Sequence, residues 1–242
     1  MSTDGSVIPA SWMNSMWNGR PVVSRTGLLV ELNAMWYNAL MFGAELTEGL
    51  PDLAEARQRW LDIAAKVKES FVSTFLNDFG YLYDYVNGNY ADPSVRPNMA
   101  IAIGLDYSPL DRRQRKGVLD VVTRELLTPK GLRTLSPKSY GYRPNYLGSP
   151  EEREYALHNG PVRPWLMGFY ADAYLKVFGH SGVSYIDRMM IGFEEDMSNG
   201  CIGSLSQLYD GNPPYTNRGA ISHATNIAEV LRTIRTLKKF ND

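Results

Sequence analysis

The chain has 242 residues, longer than one ordinary domain and short of two. Apolar residues make up 44% and charged residues 21%, which excludes a disordered tail or a fibrous repeat. The formal charge of −1 excludes a basic surface for nucleic acid or an anionic membrane, and a single cysteine, Cys201, excludes a disulfide framework or a thiolate zinc cluster.

In chain order, the N-terminus carries neither a cationic leader nor an apolar stretch of signal-peptide length, which points to a cytoplasmic setting. Polar residues run directly into Trp12 and Met13 with no capped first helix, as though the chain begins inside something larger. Residues 28–46 form a helix with an apolar stripe at Leu32, Met35, Trp36, Ala39 and Leu40. A second helix over 52–75 starts at Pro51-Asp52 and carries Leu53, Ala56, Trp60, Ile63, Ala64, Val67, Phe71 and Phe75. A short apolar helix over 98–105 follows Pro97, and a helix over 111–127 has a basic, exposed first half. Helices over 164–178, 183–197 and 220–239 complete a set of about seven. Between them, 80–98, 128–150 and 201–219 are long segments rich in Gly, Pro, Asn and Tyr. Long ordered loops in compact domains often carry function. Their regular alternation with helices predicts one all-α unit, a ring of paired helices with loops on one rim.

No phosphate-binding glycine motif occurs, and His158, His180 and His223 lack metal-ligand spacing. Cys201 reads best as structural. What remains is acids, amides and rings in the loops: Tyr81 to Tyr85 around Asp84; Asp92, Arg96 and Asn98 in one Pro-bounded turn; His158 to Trp165; and Gln207 to Pro214. Such a mixture suits a hydroxylated ligand, because amides and charges bond hydroxyls while rings cover the apolar face of a sugar. Each cluster alone also fits helix caps and turns.

Several segments resemble the amylo-α-1,6-glucosidase domain of glycogen debranching enzymes, especially bacterial ones. They are Ser11-Trp12-Met13, Gly19 to Val23, Val30 to Leu40, Gly80 to Asp84, Val95 to Asn98, Tyr107 to Leu110, Glu125 to Pro129, Gly131 to Pro137 and the stretch from Ile202 to Ile221. The resemblance runs in order from Trp12 to Arg232. It implies an (α/α)6 toroid of the six-hairpin glycosidase type, here a single C-terminal portion over 1–242 that lacks its first helices and an upstream domain. An incomplete toroid predicts uncovered apolar helix faces. The implied reaction is hydrolysis of α-1,6-linked glucose at glycogen branch points, with inversion and without metal or organic cofactor. The implied partners are glycogen or another branched α-glucan, and the missing N-terminal portion.

Inversion needs one carboxylic acid and one carboxylate base on opposite sides of the bond. Carried over, the acid falls at Asn14 and the base at Gln207, so both positions hold amides. An amide neither donates a proton to a leaving oxygen nor takes one from water, and each lost role costs roughly 10²–10⁴-fold. Amides keep the size and hydrogen bonding of the acids, so sugar binding can outlast catalysis. Three readings therefore stand: an impaired glucosidase, a glucan-binding pseudoenzyme, or a truncated fragment with the family fold and no function of its own. The substrate-binding positions implied are Trp12, Glu31, Trp36, Asp84, Asp92, Arg96, Asn98, His158, Trp165 and Asp210. Arg163 stands where the related pattern has Trp, and Ser24 where it has Pro.

Overall fold

The computed structural model describes residues 1–241. Eight α-helices lie among them: α1 (Val30–Leu46), α2 (Ala54–Phe75), α3 (Asn98–Gly104), α4 (Arg112–Glu125), α5 (Pro150–Ala156), α6 (Leu166–Phe178), α7 (Val183–Glu194) and α8 (Ala224–Asn241). They form two layers. In the inner one α1 packs on α3, α3 on α6 and α6 on α8. In the outer one α2 backs α1, α4 backs α3 and α6, and α7 backs α6 and α8. The result is an arc of paired helices, with α1 and α8 at its ends.

The expected helices are present, with shifted starts. Leu28 and Leu29 do not enter α1; they pair as β3 (Leu28–Leu29) with β4 (Tyr85–Asn87), which pairs with β5 (Tyr90–Ala91). α4 begins after Asp111, whose side chain accepts from the Gln114 N–H at 2.8 Å while the Gln114 side chain reaches back to the Asp111 N–H at 2.9 Å. α5, absent from the sequence reading, has the same reciprocal cap between Ser149 and Glu152. α8 starts four residues later than expected, at Ala224.

The loops also hold short strands that alternation could not reveal, since each is two or three residues long. β1 (Met16–Trp17) pairs with β2 (Arg20–Pro21). A five-stranded antiparallel sheet runs in the order β10 (Asn217–Arg218), β9 (Leu208–Tyr209), β8 (Val162–Arg163), β7 (Gly131–Arg133), β6 (Leu127–Thr128). It staples the third long loop to the second.

Every residue of α3 is buried, since α3 sits between α1 and α6 with α4 behind it. The α3–α6 crossing is close because small residues face it. A methyl group on Gly104 would stand 2.5 Å from the Phe169 carbonyl oxygen, so only glycine fits. α1 corrects the sequence-read stripe. Its buried side is Ala34, Tyr37, Leu40 and Ala44, while Met35, Trp36, Ala39, Phe42 and Leu46 are exposed. The helix is apolar nearly all round, so periodicity alone could not orient it. Leu231 on α8 is likewise exposed. An uncovered apolar face thus lies on α1, at one end of the arc.

Candidate functional site

The four inner helices all present their N-terminal ends to one network. Glu31 lies in the first turn of α1, Asn98 opens α3, Trp165 caps α6 and Asn226 lies in the first turn of α8. The loop residues between them join these ends.

Arg25 is the hub on the α1 side. Its guanidinium grips Glu31 with two parallel bonds of 2.5 and 2.7 Å, and it donates to Asp84 through Nε at 2.7 Å. It also reaches the Asp84 carbonyl at 3.0 Å and Ser11 Oγ at 3.2 Å. Arg25, Glu31 and Asp84 are 3%, 1% and 1% exposed, so this is a dry ion network. Burial opposes the charge of Arg25, but Asp84 and Glu31 outweigh it and hold the guanidinium above its ordinary range. The Asp84 backbone is clamped as well: its N–H donates to the Asp92 carbonyl and its carbonyl accepts from the Val30 N–H.

From Asp84 the network crosses to α3. Asn98 Nδ2 donates to Asp84 Oδ1 at 2.7 Å, and Asn98 Oδ1 accepts from Trp12 Nε1 at 2.8 Å. Trp12 then meets His158 and Trp165 edge to face, at centroid distances of 5.2 and 5.1 Å. The Trp165 N–H donates to Asn226 Oδ1, and Asn226 Nδ2 donates to the Ser206 and Gln207 carbonyls. Arg96 underpins the middle, donating to the carbonyls of Thr134 and His158 and to Asn159 Oδ1. Its Nε lies 3.9 Å from Asp84 Oδ2, and burial pushes its pKa down.

His158 is buried, and its Nε2 accepts from the Asn14 backbone N–H at 3.1 Å. Its proton therefore sits on Nδ1, which has no partner among the described residues. Burial, then the nearby Arg163, Arg96 and Arg25, hold its pKa well below the ordinary histidine range, so the ring is neutral at pH 7.

Asn14 projects an exposed side chain from the same loop as Trp12. Gln207 is half-buried, with Oε1 accepting from the Ala220 N–H at 3.1 Å. The two residues join the Trp12–His158–Trp165 cluster through their backbones, Asn14 by its N–H to His158 and Gln207 by its carbonyl to Asn226. Asp210 is occupied: Tyr146 N–H donates to Oδ1 and Arg218 to Oδ2. Asp92 caps its own turn through Ser94. Each of the four candidate acids therefore has a protein partner. Trp36 lies elsewhere, in a cleft of about 190 Å³ shared with Leu28, Val67 and Phe71 between α1 and α2.

Two network members escaped the sequence reading. Arg25 lies in no quoted motif, and its six-residue spacing to Glu31 matches no helical period. Asn226 was hidden inside a helical pattern, where its only signal was a polar residue in a first turn. Among the described residues no cluster of His, Cys, Asp or Glu is arranged to hold a metal ion, and no helix is long and apolar enough to cross a membrane.

An arc of paired helices with a polar and aromatic rim at the inner N-termini is the architecture of the six-hairpin glycosidases. A neutral trehalase from Saccharomyces cerevisiae superposes with a TM-score of 0.64 at 14% identity, covering 93% of this chain and 42% of that one. A mannosylglycerate hydrolase from Thermus thermophilus, solved with glucose, superposes at 0.60 and 12% identity over 86% of this chain and 44% of that one. These likenesses concern the fold. The family described as amylo-alpha-1,6-glucosidase matches residues 1–232, and the chain belongs to it. A glycogen debranching enzyme from S. cerevisiae is 28% identical over 211 aligned residues, 70% of this chain and 14% of that protein. The chain thus spans about one seventh of that relative and under half of the superposed structures.

Proposed function

We propose that the rim site holds a branched α-glucan and that the chain is a glucan-binding member of its family with little or no hydrolytic turnover. The observation that carries this reading is a contrast within one site. The network from Arg25 through Asp84, Asn98, Trp12 and Trp165 to Asn226 is complete, whereas the acid and base positions hold Asn14 and Gln207. Membership of the amylo-alpha-1,6-glucosidase family and the likeness to a debranching enzyme support the ligand class. Rescue by a neighbouring carboxylate lacks support, because Asp210 is already bonded to Arg218 and Tyr146. The apolar stripe of Met35, Ala39, Phe42 and Leu46 supports a further partner, additional helical polypeptide from the N-terminal portion of the same enzyme. The setting proposed is cytoplasmic, in keeping with a lone cysteine.

Hydrolysis of the terminal α-1,6-linked glucose with inversion is the second reading, favoured by the isosteric fit of both amides to the acids they replace. One experiment separates the two. The purified chain and the double variant Asn14→Asp, Gln207→Glu are incubated with phosphorylase-trimmed glycogen, and glucose release and glucan binding are both measured. Binding without release by the parent chain, with release appearing in the double variant, is the expected result. Release by the parent chain would overturn the assignment of Asn14 and Gln207 to the acid and base positions. A double variant that binds but stays at background would end the idea of a latent glucosidase.

A further inference from the structure

Arg163 is the one candidate-site cation left without a counter-charge among the described residues. It stands on β8, two residues before Trp165, and is 6% exposed. Its Nε is fully enclosed with no hydrogen-bond partner, and its terminal nitrogens donate to no protein group among the described residues. Burial pushes its pKa down to about 10, so it stays charged at neutral pH, and Tyr146 favours the charge. The Nδ1 of His158, five residues before it in the chain, is likewise buried without a partner among the described residues.

A buried guanidinium with no acid is destabilising unless something supplies the missing charge. Nothing in the site can. Glu31 and Asp84 are spent on Arg25, Asp92 on Ser94 and Asp210 on Arg218, while Asn14 and Gln207 are neutral. The positive ends of four helices converge on the same rim, which adds to the deficit of negative charge.

We propose that Arg163, through the terminal nitrogens that no protein group occupies, forms an anion-binding position at the rim, so that the chain prefers a glucosyl unit carrying a carboxylate or a phosphate monoester over a neutral one. The inference rests on the glucan-site reading and narrows its ligand class. Arg is suited to the task because its planar fork matches both oxyanions.

The test is calorimetric titration of the purified chain with glucose, glucuronate, glucose 6-phosphate, inorganic phosphate and phosphorylase-trimmed glycogen. At least one anionic sugar should bind about tenfold or more tightly than glucose, and which one identifies the source of the charge. Arg163→Met should abolish that preference. The same variant should raise the thermal midpoint, because an unpaired buried charge is gone, so loss of the preference cannot be ascribed to unfolding. Equal affinity for glucose and both anionic sugars, or a preference that survives in Arg163→Met, overturns the inference. Inorganic phosphate binding as tightly as glucose 6-phosphate also overturns it, since the sugar then contributes nothing. If trimmed glycogen binds while the anionic sugars gain nothing, this inference fails alone. If no glucan or sugar binds, the glucan-site reading falls with it.

Discussion

Replacing Arg25 with Met tests whether the ion network is as dry as its burial indicates. Methionine keeps much of the stem but deletes the guanidinium that serves Glu31, Asp84 and Ser11 at once. Both carboxylates are 1% exposed, so water cannot replace the lost donor without opening the rim. Removing one partner of a buried ion pair costs about 3–5 kcal/mol. Arg25 answers to two acids, which puts the loss at the upper end of that range. Set against a total stability of roughly 5–15 kcal/mol, the loss is a large fraction of the whole. For a domain of this size each kcal/mol shifts the thermal midpoint by about 2–4 °C, so a fall of roughly 10–20 °C is expected. Urea unfolding followed by far-ultraviolet circular dichroism gives the free energy, and a thermal scan gives the midpoint. Arg25→Lys should fall between parent and Met, because it restores the charge but not the fork. A loss below about 1 kcal/mol for Arg25→Met would match an exposed salt bridge and refute the description of a desolvated network.

Asn98→Ala removes the acceptor for Trp12 and a donor to Asp84. Leaving those buried groups unpaired should cost about 1–3 kcal/mol in urea unfolding, and glucan binding should weaken more than stability does, because Trp12 loses its orientation; unchanged binding would remove Asn98 from the site. Gly104→Ala places a methyl 2.5 Å from the Phe169 carbonyl oxygen, so thermal unfolding should show a loss of about 1–3 kcal/mol. A neutral result there would mean that α3 and α6 can separate freely. His158 is held below its ordinary pKa by burial and by Arg163. The unfolded chain therefore binds the extra proton first, and stability falls as pH drops below about 6.5, by about 1.4 kcal/mol per pH unit until the depressed folded value is reached. His158→Gln should flatten the difference in urea midpoint between pH 7 and pH 5.5; an identical slope in parent and variant would show that the imidazole is protonated in the folded state.

Much of the site was legible from residue types and order. Trp12, Asp84, Arg96, Asn98, His158 and Trp165 were all expected at the site, and all lie in or against the network. They were legible because each sits in a loop that ends on an inner helix, where polar side chains meet free backbone groups. Trp36, a binding position implied by the family resemblance, lies in the α1–α2 cleft, because a tryptophan in the middle of α1 belongs to whichever face the packing assigns it.

By itself the sequence determined seven of the eight helices among the described residues and their order along the chain, since these depend on local periodicity. Only the tertiary structure decided which charges were spent and which were left over. The bonds from Arg25 to Asp84, Trp12 to Asn98 and Asn14 to His158 span 59, 86 and 144 residues. No local pattern encodes such pairings; they follow from how α1, α3, α6 and α8 stack. The same stacking seals Asp84 and Asp210 against arginines and leaves Arg163 with none to answer it, because a buried charge is balanced only by what packing brings within a few ångströms.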